Sequence, residues 1–403
     1  MCGIAGAMVW TRGGGTDATT AVRRMVDTLG HRGPDGHGVA VCAAAEHGPS
    51  APEVVFGHTR LAILDLSSRG AQPMQSTTGP VWITFNGEIY NFTEIRGELE
   101  RAGRTFRSGT DTEVILQGYE QWGAAVIDRL RGMFAFAIWD GRARRLLLAR
   151  DRFGIKPLYL CQDASGIFFA SELRALLATG VPPRRLDPIA AEQFLAYQTV
   201  APPRTLIAGV TMLRAGEMIV AGDGPSTVQG HLYWDLLDAA SPAARDASAD
   251  DARSSVRRLL AESAALHLVS DVPIGVFLSG GIDSSAIVSL TAAAGITPRT
   301  FTVTLPGSTH DEAPFARAIA SRFRADHHEI DIDAATLRRL LPMSLASTDH
   351  PSGDGFNTFV VSHAVSKAGF KVALSGLGGD ELFGGYPSFR RLQRLRAYAP
   401  ILR

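Results

Sequence analysis

The chain has 403 residues, which is enough for two or three domains that each bury a core. Its 40 basic and 40 acidic residues cancel, so charge gives no reason to expect nucleic acid or an anionic membrane as a partner. Three cysteines without C-x-x-C spacing argue against a disulfide framework or a structural zinc site. No apolar run approaches the roughly 18 residues of a membrane span. We therefore predict a soluble cytoplasmic protein.

The first half of the chain predicts short strands separated by turns. An apolar run at Ile4–Trp10 comes first. Aromatic and β-branched residues recur in four further runs, at 81–90, 133–140, 144–151 and 166–172. Between them, residues 110–123 carry apolar side chains at helical spacing behind a Thr/Asp cap. This half predicts an α+β domain.

The periodicity changes after Asp235–Asp250, a stretch rich in Pro, Ala, Asp and Ser that we predict to be a linker. The following segments alternate between helix and strand patterns: a helix at 251–268, a strand at 272–278, a helix from about Ser284 and a strand at 299–305. Strands that alternate with helices indicate a parallel α/β sheet.

Two glycine-rich segments follow strands in this second half. In "VFLSGGIDSS" (Val276–Ser285), paired glycines after a buried strand and before a helix are typical of a phosphate or pyrophosphate cradle, although a Gly-Gly pair alone would indicate a plain turn. The Walker A lysine is absent. The second segment is "ALSGLGGDELFGGY" (Ala373–Tyr386). Asp283 and Asp380 together could hold Mg²⁺, whereas either one alone would suit a helix cap or a surface charge.

Cys2 stands directly behind the initiator methionine in "MCGIAG". By position alone it is best interpreted as a small hydrophobe at the start of a buried strand, because a secretory signal would need a basic region and a longer apolar run. More motifs change that interpretation. They are "HRGPDG" (His31–Gly36), "GHTRLAILDLS" (Gly57–Ser67), "FNGEIYN" (Phe85–Asn91), "ARDRFGIKPLY" (Ala149–Tyr159) and "SGLGGDELFGGYP" (Ser375–Pro387).

With these motifs in this order, the chain resembles the glutamine-dependent asparagine synthetases over nearly its whole length. The resemblance implies an α+β N-terminal-nucleophile αββα sandwich as a glutaminase domain at 2–210, and a connecting segment and linker at 211–250. It implies an α/β parallel-sheet ATP-pyrophosphatase (PP-loop) domain at 251–403, incomplete at its C-terminus.

The resemblance assigns Cys2 as the nucleophile, exposed by removal of Met1. A free α-amine titrates near pH 8, so it can act as base for the adjacent thiol and form a glutamyl thioester with release of ammonia. Cys42 and Cys161 lack such a base and are expected to be inert. Asn86 and Gly87 match the oxyanion hole, Arg60 the residue that binds the substrate carboxylate, and Asp111 the partner of its ammonium. The implied glutamine-binding set is Arg60, Leu61, Ala62, Ile63, Leu64, Asn86, Gly87, Glu88 and Asp111. Without the resemblance, Arg60 would be interpreted as a surface ion pair and Asn86 as a turn residue.

In the second half, the resemblance implies ATP and Mg²⁺ as cofactors. The expected metal ligands are Asp283 and Asp380. A carboxylate would be adenylylated, and ammonia arriving through a dry path would displace AMP. The expected ATP contacts are Leu278, Ser279, Gly280, Gly281, Asp283, Ser284, Val303, Ser375 and Gly376.

The chain departs from the family pattern in two places. Leu377 stands where asparagine synthetases usually carry a glutamate, which leaves open amidation of a carboxylate other than aspartate. The chain also ends at Arg403, before the family's further helices and their pyrophosphate-binding lysine, so we expect glutamine hydrolysis with poor coupling to amide synthesis.

The remaining alternatives differ in the role of the second domain. It could be a regulatory nucleotide-binding module attached to a glutaminase; an N-terminal-nucleophile peptidase would leave the phosphate loop unexplained. We expect small-molecule substrates only, with no nucleic acid and no membrane. The oligomeric state stays open, with a homodimer as one candidate.

Overall fold

The computed structural model describes residues 1–10, 17–43, 52–239, 248–304, 312–351 and 355–398. The chain divides into two compact units. Unit 1 comprises Met1–Ala247 with Ala346–Gly355, and unit 2 comprises Ser248–Leu345 with Phe356–Arg403.

The described strands of unit 1 form two six-stranded antiparallel sheets. The strands are β1 Gly3–Val9, β2 Gly36–Ala43, β3 Glu53–Arg60, β4 Met74–Gln75, β5 Val81–Ile89, β6 Gly132–Asp140, β7 Arg145–Arg150, β8 Tyr159–Gln162, β9 Gly166–Ala170, β10 Val210–Met212, β11 Glu217–Ala221 and β12 Gln229–Leu232. The first sheet has the order β10-β8-β9-β1-β3-β2, and the second has the order β12-β11-β7-β6-β5-β4.

The two sheets pack face to face between helices. Strand β1 shows why: Ile4 and Met8 join a core made by both sheets, whereas Ala5 and Ala7 face the helices on the other side. This alternation follows from the two-residue period of a strand. The helices of unit 1 are α1 Ala18–Thr28, α2 Phe92–Arg101, α3 Asp111–Trp122, α4 Val126–Arg129, α5 Leu173–Thr179, α6 Pro188–Tyr197 and α7 Leu236–Ala239.

Helices α1 and α5 contribute to the core on the outer face of the first sheet, and α2 and α3 to the core on the outer face of the second. The layers are therefore helix, sheet, sheet, helix, which confirms the predicted αββα sandwich. The helix predicted at 110–123 is α3, whose first turn is capped by the Thr110 hydroxyl and which ends at Trp122, with Gly123 as C-cap at a φ of 60°.

The segment predicted to connect the two domains contains more structure than expected. Strands β11 and β12 lie within 211–250, and β11 pairs with β7 to extend the second sheet. The predicted linker Asp235–Asp250 also includes α7 and the start of the next helix, while residues 240–247 lie outside the described part of the chain. The interruption by Gly and Pro at 222–225 hid this strand pair from the sequence pattern.

Unit 2 contains a parallel sheet of the order β15-β14-β13-β16. Its strands are β13 Ile274–Phe277, β14 Arg299–Thr304, β15 Asp326–Asp331 and β16 Val372–Leu374. The associated helices are α8 Ala249–His267, α9 Ile282–Ala293, α10 Ala313–Arg322, α11 Ala334–Ser347, α12 Gly355–Lys367, α13 Gly379–Phe383 and α14 Pro387–Tyr398. The predicted α/β class is confirmed.

One boundary in unit 2 differs from its prediction. Helix α9 begins at Ile282, two residues before Ser284, with Gly281 in the N-cap position. The helix therefore starts immediately after the glycine pair, which brings its N-terminus closer to the loop. Among the described helices, none combines the length and the apolarity that a membrane crossing requires.

Candidate active site

Unit 1 contains a cavity, open to solvent, next to the start of β1. The cavity brings together most of the residues predicted to bind or hydrolyse glutamine. Its lining consists of Cys2, Arg60, Leu61, Ala62, Ile63, Leu64, Gly70, Gln72, Phe85, Gly87, Glu88, Thr110, Asp111 and Thr112. Asn86 belongs to the same strand, between two of the lining residues.

Cys2 is fixed by hydrogen bonds on both its side chain and its backbone. Its sulfur accepts a hydrogen bond from the Leu61 amide at 3.3 Å, and its carbonyl accepts one from Arg32 Nε at 2.9 Å. Burial raises the pKa of the Cys2 thiol, while the hydrogen bond from Leu61 opposes that shift. The thiol therefore needs a nearby base or cation before it can act as a nucleophile at neutral pH.

The amino terminus lies in surroundings that favour a neutral amine. Burial lowers the pKa of the α-amine, which Met1 carries here, to about 6. Burial has the opposite effect on the other two thiols: it raises the pKa of Cys42 far above its usual value and that of Cys161 to about 11. Both stay protonated at neutral pH, in agreement with their expected inertness.

Strand β5 presents a row of amides to the cavity. Phe85 N donates to Gln72 Oε1 at 2.7 Å, and Ile89 N donates to Asp111 Oδ2 at 2.9 Å. Alternate amides of a strand point to the same side, so Gly87 N, midway between these two, points to that side as well. The cavity thus receives a backbone donor at the centre of this edge.

Two further observations support this orientation and add a second donor. Gly87 is paired with Phe134, whose backbone groups bond Asp151 instead. The side chain of Asn86 is 1% exposed, and its Nδ2 has no hydrogen-bond partner among the described residues. Because buried polar groups are normally paired, this unpaired amide is a candidate donor to a bound group.

Arg60 lies at the end of β3 with its guanidinium held by the following loop. It donates to the carbonyls of Asp65 at 2.5 Å and Ser67 at 2.7 Å. Gly70 allows this placement, because a Cβ there would lie 2.3 Å from Arg60 Nη2. The loop therefore orients a cation at the cavity wall.

Glu88 and Asp111 form an acidic pair in the cavity lining, near the end of β5. Burial raises the pKa of Glu88, and the neighbouring Asp111 raises it further; burial also raises the pKa of Asp111. Two carboxyl groups that resist ionisation are suited to a cationic ligand, because an ammonium group between them would restore their charge.

This pair leads to a prediction about stability. A carboxyl whose pKa is raised in the folded state contributes stability that is present at low pH and lost as pH rises through that pKa. Glu88→Gln should therefore unfold at a higher temperature than the wild type at pH 8 and at an equal temperature near pH 4. In a domain of this size, about 1 kcal/mol corresponds to about 2–4 °C. Thermal denaturation from pH 4 to pH 8 would measure it; a variant less stable at pH 8 would contradict it.

Four residues around the cavity were not assigned roles from the sequence: Arg32, Gln72, Lys156 and Glu172. Arg32 Nη1 pairs with Glu172 Oε1 at 2.9 Å while its Nε holds Cys2. Gln72 bridges β5 and α3 through its second bond, from Nε2 to Thr112 Oγ1 at 3.1 Å. Arg32 belongs to the "HRGPDG" motif and Lys156 to the "ARDRFGIKPLY" motif, so the sequence singled out both positions, but only the fold reveals their contacts.

In unit 2, the predicted phosphate loop connects β13 to α9. Ser279 and Ser284 tie its ends together, since Ser279 N donates to Ser284 Oγ at 3.3 Å. Gly280 has a φ of 78°, and a Cβ there would lie 2.5 Å from Phe315 Cβ. Only glycine fits this turn without strain. Leu278 is buried in the unit 2 core and can offer only backbone atoms.

The second glycine-rich loop lies against the first. A Cβ on Gly376 would be 2.8 Å from Asp283 Cβ, and one on Gly379 would be 2.4 Å from the Asp283 carboxylate. The structure thus places Asp283 beside the loop that carries Ser375, Gly376 and Asp380. Val303 lies on β14, where it packs on an apolar cluster. Among the described residues, no group of three or more His, Cys, Asp or Glu side chains is arranged to hold a metal ion.

The fold and the first residues of β1 together define a class. A four-layer αββα sandwich with a cysteine at the start of a central strand is that of the N-terminal-nucleophile hydrolases. The family model "Glutamine amidotransferase domain" matches residues 1–234, and the model "Asparagine synthase" matches residues 255–403. The chain belongs to the family of glutamine-hydrolysing asparagine synthetases.

Individual relatives extend over nearly all of this chain. A putative glutamine-hydrolysing asparagine synthetase of Mycobacterium tuberculosis is 37% identical, with 99% of this chain and 62% of the relative covered. Asparagine synthetase 1 of Bacillus subtilis is 35% identical, covering 96% and 58%. The amidase chyE of Penicillium rubens is 30% identical, covering 92% and 55%. The chain thus spans about three fifths of the length of these relatives.

Proposed function

We propose that unit 1 hydrolyses glutamine and that unit 2 uses ATP to activate a carboxylate for amidation by the released ammonia. The Cys2 thiolate attacks the side-chain amide carbon, ammonia leaves with the proton of the thiol, and water cleaves the resulting thioester to glutamate. In unit 2, a carboxylate oxygen attacks the α-phosphorus of ATP and releases pyrophosphate. Ammonia then attacks the acyl carbon and AMP leaves.

The observation that carries this proposal is that Cys2 and Gly87 line one cavity, on a strand where the neighbouring Asn86 has a buried side-chain amide with no partner among the described residues. Asn86 Nδ2 is buried and unpaired among the described residues, and Gly87 N points to the same cavity. Donors fixed in this way stabilise the negative oxygen that forms when a thiolate attacks an amide. Arg60 and the Glu88–Asp111 pair supply opposite charges for the two ends of an amino acid.

For unit 2 we propose Mg²⁺ together with ATP, held by Asp283 and Asp380. The support is the close approach of the Asp283 carboxylate to Gly379, the residue before Asp380. Carboxylate oxygens are the ligands that Mg²⁺ prefers, and substrate phosphates complete its coordination in nucleotide sites. When bound, Mg²⁺ neutralises charge on the phosphates, and the loop around Gly280 and the start of α9 supply amides to them.

The acceptor is an open part of the proposal, and relatives named amidases accompany those named synthetases. Leu377 is 85% exposed in the second glycine-rich loop, where the family pattern has a glutamate. Losing a charged hydrogen-bonding group costs about 1.5–3 kcal/mol, which is tenfold or more in rate. We therefore favour a carboxylate other than aspartate.

The test is ATP–pyrophosphate exchange over a panel of carboxylates, with glutamate release followed in parallel. Aspartate should support exchange about tenfold or more weakly than the best acid of the panel. Leu377→Glu should raise the aspartate rate, while Leu382→Glu, at another exposed leucine in the following helix, should not. If no acid of the panel supports exchange while glutamate release is normal, the result would favour a regulatory nucleotide-binding role for unit 2. Aspartate as the best acceptor would contradict the prediction from Leu377.

A further inference from the structure

The buried lysine of the "ARDRFGIKPLY" motif has a side-chain contact that no step described above uses. Lys156 is 5% exposed, and its Nζ lies 3.1 Å from the thioether sulfur of Met1. A thioether is a weak acceptor, so this contact leaves the ammonium poorly satisfied. The side chain forms no ion pair with a carboxylate within the described parts of the chain.

The backbone around Lys156 fixes where the side chain starts. Its N–H donates to Asp151 Oδ2 at 2.9 Å, and its carbonyl accepts from Arg150 Nε at 2.8 Å. The Asp151 carboxylate also accepts from the amides of Phe134, Phe153 and Ile155, so it is committed to the backbone. The loop therefore directs a cation to the amino terminus without a fixed counter-ion.

From this geometry we propose that Lys156 is a positioning residue for Cys2. Once Met1 is removed, the Lys156 ammonium faces the new α-amine and the thiol of Cys2. There it favours the neutral amine and the thiolate. This inference rests on the proposed function, because it assigns a role in the same glutaminase site.

The chemistry of the first step explains the need for such a cation. The α-amine must take the proton of the thiol and then pass it to the departing ammonia. Before attack, a neighbouring positive charge keeps the α-amine unprotonated and favours the thiolate; after attack, it makes the protonated amine a stronger acid, which assists the transfer to ammonia. The charges interact in this way: Lys156 lowers the pKa of the terminal amine, and Cys2 raises the pKa of Lys156.

Other charged groups influence the terminal amine, the Cys2 thiol or Lys156, so a test of Lys156 must leave them unchanged. They are Arg32, Asp35, Glu88, Asp111 and Asp151. Burial, with a contribution from Arg32, lowers the pKa of Lys156 to about 8, so the lysine is charged through most of the neutral range. Substituting Lys156 alone leaves those five groups in place.

The experiment measures the pH dependence of two quantities: the reactivity of the Cys2 thiol and the rate of glutamine hydrolysis. The rate of Cys2 alkylation by iodoacetamide is followed by mass spectrometry of the N-terminal peptide from pH 5 to pH 10, in protein confirmed to begin at Cys2. Lys156→Met removes the charge at similar volume, and Lys156→Arg keeps it. Arg145→Met, an exposed cation on β7, is the matched control.

Lys156→Met should shift the alkylation profile and the acidic limb of kcat/KM for glutamine upward by about one pH unit or more. At pH values below the pKa of that limb, this is a loss of about tenfold, with KM changed less than kcat. Lys156→Arg and Arg145→Met should follow the wild type. An unshifted profile for Lys156→Met, or an equal shift for Lys156→Arg, would overturn the proposal. If the alkylation profiles of the wild type and Lys156→Met differ as expected but the wild type hydrolyses no glutamine, the result would instead refute the proposed glutaminase.

Discussion

Cys2→Ala should abolish glutamine hydrolysis, with a loss of kcat of about 10⁴-fold or more, as is seen when a nucleophile is removed from a catalytic group. Cys2 is the thiol that shares the cavity with Gly87, next to Asn86, whose Nδ2 has no partner among the described residues. Release of glutamate from glutamine, measured with a coupled dehydrogenase assay, gives the result. Mass spectrometry of the active protein should show that Met1 has been removed.

Two controls separate this loss from a general effect on the fold. Cys42→Ala removes a thiol whose pKa burial raises, so it should keep wild-type glutaminase activity. Any reaction of Cys2→Ala with free ammonium as nitrogen donor should persist, because the proposed ATP chemistry belongs to unit 2. Full glutaminase activity in Cys2→Ala, or in protein that retains Met1, would refute the mechanism.

The fold could be predicted from the sequence where the periodicity was strong. The strands at 81–90 and 133–140 appear as β5 and β6, and the helix at 110–123 appears as α3, since each carries its own apolar pattern and cap. Strands β11 and β12 were missed, because both are short and the Gly and Pro residues between them leave no clear two-residue alternation; β12 is exposed along its whole length.

Some residues of the candidate site could be predicted from the motifs, and others could be recognised only from the fold. The motifs predicted that Cys2 and Asp111 belong to the same glutamine site, and both residues line the cavity. Gln72 could not be assigned, because its role depends on β5 having a free edge whose amides need side-chain partners. Arg60 was expected to bind a carboxylate, yet the sequence could not show that loop carbonyls already hold its guanidinium.

The free edge of β5 connects these findings. Strand β4 pairs only with the beginning of β5, at Ile83 and Trp82, so the later amides have no strand neighbour on that side. Gln72 and Asp111 occupy the positions of two missing neighbours, and Gly87 between them is left to the cavity. A short edge strand thus creates the place for an anion, and the residues that flank it fix its width.

Asn86→Ala should lower kcat for glutamine hydrolysis by about 10²–10³-fold, the usual result of removing one donor from an oxyanion site. KM should change little, because the donor acts on the charge that develops in the transition state. Asn86→Asp should lose at least as much, since a carboxylate of the same shape accepts hydrogen bonds but cannot donate them. Steady-state kinetics at saturating glutamine would measure both.

The matched control is Asn91→Ala, which removes a buried asparagine with a structural role. Asn91 donates to the Arg129 carbonyl and accepts from the Arg131 amide, whereas Asn86 Nδ2 has no partner among the described residues. Asn91→Ala should therefore lose about 1–3 kcal/mol of unfolding free energy and keep most of its kcat. Asn86→Ala should retain its melting temperature and lose kcat. The reverse pattern, with Asn86→Ala destabilised and still active, would assign Asn86 to the core of β5 rather than to the reaction.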